Sequence, residues 1–184
     1  MSGPVLNIKE ITSPLTADAV EGLQAGDIVS LSGTVYTARD QAHKRFYRAL
    51  EAGEALPVDL RGQTLFYAGP APTPPGAVIG SLGPTTSARM DPFTPALLEY
   101  GLRAMIGKGN RSAAVREAIT VTKSIYLTAT GGAAAYLSHF ITKASVVAYN
   151  DLGPEAVRRL ELKGMPLVVG IDFRGRSALW PDCS

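Results

Sequence analysis

Apolar positions along this chain change their period repeatedly, and the changes mark its elements. Residues 28–37 are rich in Val, Thr and Tyr and predict a strand. Ahead of it, Thr16 can cap a short helix over 17–23. Asp40 can cap the next helix, where Ala42, Phe46, Ala49 and Leu50 recur at helical spacing and Lys44, Arg45 and Arg48 lie off that face. Pro57 ends it. Strands are predicted at 64–68 and 77–82. The stretch between them, 69–76, holds four prolines and reads as a surface loop, because proline removes a backbone donor and fixes φ. Leu97, Leu98, Leu102 and Met105 predict a helix opened by Pro92 or Pro95 and running to Met105. A helix over 112–120 and a buried strand over 124–129 follow. Gly131-Gly132 then turns into an Ala-rich helix with Tyr136, Leu137, Phe140 and Ile141 inward. The remaining expectations are a strand over 143–149, a short helix from Pro154 to Leu160, and a strand pair, 167–173 and 176–180, around Arg174-Gly175. Helices and strands alternate, mostly singly, so the fold class is α/β, a mixed sheet flanked by helices.

Composition narrows the function. With 184 residues and 46% apolar content, the chain is expected to form one domain, 1–184, with a full core. The net charge of +2 is spread along the sequence without a basic block, so no nucleic-acid partner is expected. The opening Met-Ser-Gly-Pro-Val-Leu lacks a basic segment followed by an apolar one, and no long apolar run occurs. Neither a secretory signal nor a membrane span is expected, and a cytoplasmic location follows. The one cysteine, Cys183, cannot form an internal disulfide, a structural zinc site or an iron–sulfur cluster, and is expected to be a tail residue without a role. No metal site of the chain's own is expected.

The candidate chemistry is cationic. Arg39 and Arg89 each follow a Gly-led, hydroxyl-rich turn at a predicted strand end, where open α/β sheets bind ligands. A guanidinium grips a carboxylate through two parallel hydrogen bonds, so two of them suit a dicarboxylate. Either could equally be a surface or ion-paired arginine. Thr85 and Thr86 after Gly83-Pro84 can offer backbone N–H groups and hydroxyls to an anion, or can cap a turn. Lys108 between Gly107 and Gly109 can reach a pocket, or can be a helix C-terminal lysine. His43, one turn after Arg39, can be a proton shuttle, or can hydrogen-bond a neighbour. His139 reads as packing. The G-x-G-x-x-G, G-x-S-x-G and H-E-x-x-H patterns are absent.

Several stretches together resemble one family. They are Gly33-Thr34 through Arg39-Asp40-Gln41-Ala42-His43, Leu56-Pro57-Val58-Asp59, Tyr67-Ala68-Gly69-Pro70, and Gly83-Pro84-Thr85-Thr86 through Arg89-Met90-Asp91. Ile106-Gly107-Lys108-Gly109, Gly131-Gly132-Ala133, Asp151-Leu152-Gly153 and Met165-Pro166-Leu167 continue the series. Over about residues 5 to 180 the chain is similar to the β subunit, or C-terminal domain, of the iron–sulfur hydro-lyases: class I fumarases and L-tartrate dehydratases. The resemblance implies a single swivelling β/α domain that closes over a cysteine-bearing α subunit. That partner would hold a [4Fe–4S] cluster, in a hetero-oligomer of α₂β₂ type. It also implies that Arg39, Thr86, Arg89 and Lys108 bind the substrate and that Thr85 is the catalytic base. Reversible hydration of fumarate is the leading expectation, as in the tricarboxylic acid cycle. L-Tartrate dehydration is the alternative, and a non-catalytic dicarboxylate-binding module is a third.

Overall fold

Each element begins or ends where local chemistry requires it. In the computed structural model, which describes residues 7–129 and 133–179, the first strand is β1 (Ile8–Ser13). Thr16 accepts a hydrogen bond from the Ala19 amide and starts α1 (Ala17–Glu21). The alternating run 28–37 forms β2 (Ile28–Thr37), followed by α2 (Asp40–Glu51), which buries Ala42, His43 and Phe46. Next come β3 (Thr64–Phe66), a 3₁₀ turn (Ser87–Met90) and α3 (Thr94–Tyr100). The second half holds β4 (Ala104–Gly107), α4 (Ala113–Thr122), β5 (Ile125–Thr128), α5 (Ala134–Ser138) and β6 (Ile141–Ala148). A second 3₁₀ segment (Asn150–Glu155) leads into the long β7 (Val157–Ile171).

The sheet is mixed. β1, β2, β3, β4 and β5 pair in parallel in that order, and β7 runs antiparallel to β5, β6 and β2. The pairing of β2 with β7 returns the sheet on itself, so β2, β3, β4, β5 and β7 form a closed circuit. Side chains alternate between two cores. Phe66, Ile106 and Leu127 join Val29, Leu31, Val35 and Val169 in one cluster. Leu65, Met105 and Tyr126 join residues of α2, α3 and α4, including Phe46, Leu97 and Val115, in the other.

Several sequence expectations change. The helix expected to reach Met105 stops at Tyr100, because Gly101 adopts φ 118° and caps it left-handed; Met105 lies in β4. Residues 77–82 are irregular, with a bend at Val78-Ile79, instead of a strand. The short helix after Pro154 is replaced by the 3₁₀ segment that precedes Ala156, and residues up to Leu160 belong to β7. The expected strand pair reduces to β7 and an isolated bridge, Ile171 to Ser177, about the Asp172 turn. In α5 Leu137 is buried as expected, but Tyr136 is 56% exposed, Ile141 opens β6, and His139 follows the helix end. The Gly131-Gly132 turn, Trp180 and Cys183 lie outside the described residues. No helix among the described residues is long and apolar enough to cross a membrane.

Candidate functional site

The parallel strands bring three loops to one end of the sheet. Thr37 is level with Phe66, Phe66 with Ile106, and Ile106 with Leu127. Two residues beyond that level on β2, β3 and β4 stand Arg39, Ala68 and Lys108. Loops at the carboxyl ends of parallel strands are where ligands bind in α/β sheets.

A fourth segment is stitched between the ends of β3 and β4. Ala68 bridges Pro84, the Thr85 amide donates to the Tyr67 carbonyl (2.6 Å), Thr86 bridges Lys108, and the Ser87 amide donates to the Lys108 carbonyl (2.9 Å). Thr85, Thr86 and Lys108 therefore share a pinned backbone. The 3₁₀ turn continues directly from it and carries Arg89. Below, Ser87 Oγ meets Tyr126 Oη at 2.9 Å, and Tyr126 Oη donates to the Gly109 carbonyl at 3.0 Å. Gly107 is required for this approach: a Cβ there would lie 1.9 Å from Ser87 Oγ.

The two arginines meet at one carboxylate. Arg89 Nε donates to Asp40 Oδ1 at 2.8 Å, and Arg39 Nε lies 3.8 Å from Asp40 Oδ2. At its other end Arg39 Nη2 is 3.8 Å from Glu155 Oε1. The Arg39 side chain is only 25% exposed, yet its guanidinium makes no hydrogen bond among the described residues, and its Nε is buried without a partner. Buried polar groups are nearly always paired in folded proteins, and Arg39 Nε is an exception, as are Asp40 Oδ2 and His43 Nε2 beside it. Arg39 rests on Gly69, where a Cβ would come within 3.1 Å of its Cδ. Arg89, at 51% exposure, uses Nε on Asp40 and makes no other hydrogen bond among the described residues. Lys108 is exposed and makes no ion pair among them.

Beneath the loops lies a polar layer that the sequence reading missed. Arg111 is fully enclosed, its side chain 0% exposed. Its Nε donates to Asp91 Oδ1 (2.7 Å) and its Nη2 to Thr94 Oγ1 (3.0 Å). Its guanidinium lies over the Tyr67 and Tyr126 rings. Asp91 also accepts from the Ser112 amide at 2.6 Å. The order Asp91, Thr94, Arg111 carries no sequence signature, because the contacts cross from α3 to the loop before α4. His43 joins the layer from α2. It is 0% exposed, its Nδ1 donates to the Arg39 carbonyl (2.9 Å), and its ring stands edge-on to Tyr67. Burial pushes its pKa down to about 4, so the ring is neutral near pH 7.

Comparisons with known proteins point to one family. The model of the family described as Fumarase C-terminus matches residues 5–180. Fumarate hydratase 1, mitochondrial, of Leishmania major is 42% identical over 149 residues, covering 80% of this chain and 27% of that protein. The anaerobic class I fumarate hydratase of Escherichia coli K12 is 40% identical over 149 residues, with the same coverage of 80% and 27%. A putative L(+)-tartrate dehydratase subunit beta of Methanocaldococcus jannaschii is 38% identical over 169 residues, covering 89% of this chain and 87% of that one. The chain thus spans about a quarter of the fumarate hydratases it matches (27% of their length), and most of the tartrate dehydratase subunit.

Proposed function

Because the chain belongs to the Fumarase C-terminus family, we propose that it is the β-type part of a hydro-lyase that interconverts fumarate and malate. The observation that carries this reading is the pair of guanidiniums, Arg39 and Arg89, meeting at one sheet end with hydrogen-bonding capacity left open. Each takes one carboxylate of a dicarboxylate. Thr86, on the stitched segment, and Lys108, bridged to it at the end of β4, complete the anion cradle.

Water loss from malate removes a proton from one carbon and hydroxide from its neighbour. Thr85 is the group assigned to the carbon-bound proton. A threonine hydroxyl is a weak base in water, and the adjacent cations lower the energy of its alkoxide by preorganised electrostatics. His43, sealed and neutral, suits bracing the Arg39 backbone better than carrying protons to solvent.

The hydroxide calls for a Lewis acid, which a [4Fe–4S] cluster supplies in iron–sulfur hydro-lyases of this kind. This chain's own donors do not fit such a cluster. It has one cysteine, and among the described residues no group of three His, Cys, Asp or Glu could hold a metal ion. In this reading a partner subunit or a preceding domain carries the cluster, and this domain swivels closed over it. The tartrate dehydratase subunit, similar along 87% of its length, favours a separate partner chain and keeps L-tartrate as the second substrate reading.

Assay of the complete enzyme on L-malate and on L-tartrate tests the substrate, and Arg89→Ala tests the site. Losing a charged bidentate contact buried in the complex corresponds to a loss on the order of 2–5 kcal/mol in kcat/KM. Normal turnover by Arg89→Ala would remove Arg89 from the site.

A further inference from the structure

We propose that Asp40 is a positioning residue that sets the angle between the two substrate-binding arginines; this rests on the reading just given. Asp40 is the first residue of α2, one place after the N-cap Arg39, and does not cap the helix as its sequence suggests. The Gln41 amide at the same helix end is taken by Glu155 Oε2 at 2.9 Å, and among the described residues no backbone amide donates to the Asp40 carboxylate. Its carboxylate turns instead to the arginines: Oδ1 accepts from Arg89 Nε at 2.8 Å, while Oδ2 is buried, 3.8 Å from Arg39 Nε, with no hydrogen-bond partner.

The choice of Nε matters. A guanidinium held by Nε on its side edge leaves the end-on pair of terminal N–H groups as a fork open to a second carboxylate. Arg89 rides on a 3₁₀ turn and Arg39 on the loop after β2, so these side chains come from separate segments. Among the described residues, Asp40 is the one acid within ion-pair distance of both. An acid beside a dianion pocket also repels the ligand. Charge and positioning therefore predict opposite signs. If Asp40 acted on the substrate only through its field, removing its charge would tighten binding. If it aims the forks, removing it loosens them and weakens binding.

The test uses the complete enzyme with L-malate as the probe. Asp40→Asn should raise KM and lower kcat/KM on the order of 10- to 100-fold, the scale of an ångström-level misplacement. Asp40→Glu, which keeps the charge but displaces it by one methylene, should fall in the same direction, and it carries the test if the asparagine variant does not fold. In the Arg89→Ala background, Asp40→Asn should add far less than it does alone, since the group it aims has gone. An unchanged or lower KM for Asp40→Asn, a wild-type Asp40→Glu, or fully additive losses would each overturn the proposal. The parent reading fails separately: in that case Arg89→Ala itself turns over normally. An impaired Arg89→Ala beside a normal Asp40→Asn sinks this inference alone.

Discussion

His43 should give this protein an acid-sensitive step that belongs to one side chain. The ring is wholly enclosed, and the Arg39 carbonyl, which can only accept, fixes the proton on Nδ1. Nε2 is then a bare lone pair, buried with no partner among the described residues. Charging the ring would place a second N–H where nothing receives it. Burial is the main cause of the fall in pKa from 6.5 to about 4; the Arg111 charge adds to it, while the Arg39 carbonyl and Asp40 oppose it. In the unfolded chain the ordinary value returns. A folded pKa below the unfolded one means that the native state binds fewer protons. The contribution is then complete above pH 6.5 and is lost as pH falls toward 4. The gap between those two values is worth about 3 kcal/mol at ~1.36 kcal/mol per tenfold change in proton affinity. Urea unfolding at steps across that range should be compared for the native chain and His43→Asn, whose amide nitrogen takes the place of Nδ1 and can still donate to the Arg39 carbonyl. Carboxylates that titrate in acid act alike in both and cancel in the difference. The stability difference between the two proteins should change by about 3 kcal/mol across the window, whatever its constant offset. Parallel curves would refute the reasoning.

Two further outcomes concern the layer under the site. Arg111→Met strands Asp91 with its Ser112 amide alone and should destabilise by about 3–5 kcal/mol. That loss reads as a fall of roughly 6–20 °C in Tm for a chain of this length, and adding Asp91→Asn should recover part of it; a melt within a degree of the parent would contradict a buried pair. Gly107→Ala drives a methyl against Ser87 Oγ and should lower both Tm and kcat. Ser87→Ala in the same chain should restore part of the Tm, and no initial drop would show that the stitched segment has slack.

How far the sequence revealed all this depended on how local each cause was. β2 and α2 were legible because alternation, a helical apolar face and an acid at the start all lie within their own residues. β4 was hidden: Ala104-Met105-Ile106-Gly107 continues the apolar spacing of α3, and only the left-handed Gly101 separates them. β1, with Lys9 and Glu10 in a six-residue strand, has too little apolar content to announce itself. β7 was misjudged because its strand character is set by three neighbours, β2, β5 and β6, none adjacent in sequence except β6. The arginines, threonines and lysine of the site were visible as residue types after glycine turns. Their anchors, Asp40 reaching from beside Arg39 to Arg89 and Tyr126 under Ser87, were not, because the Asp40–Arg89 and Tyr126–Ser87 contacts join segments tens of residues apart.

The late position of β7 governs how this polypeptide can be made. β2 leaves the ribosome early, but its long antiparallel neighbour is not synthesised until Val157 and beyond. Until then β2 and β5 each carry a bare backbone edge of the kind that other nascent chains can zip onto. The barrel cannot be finished from front to back. Its first half must wait, open-sided, for its last strand, and such distant pairing is slow to form.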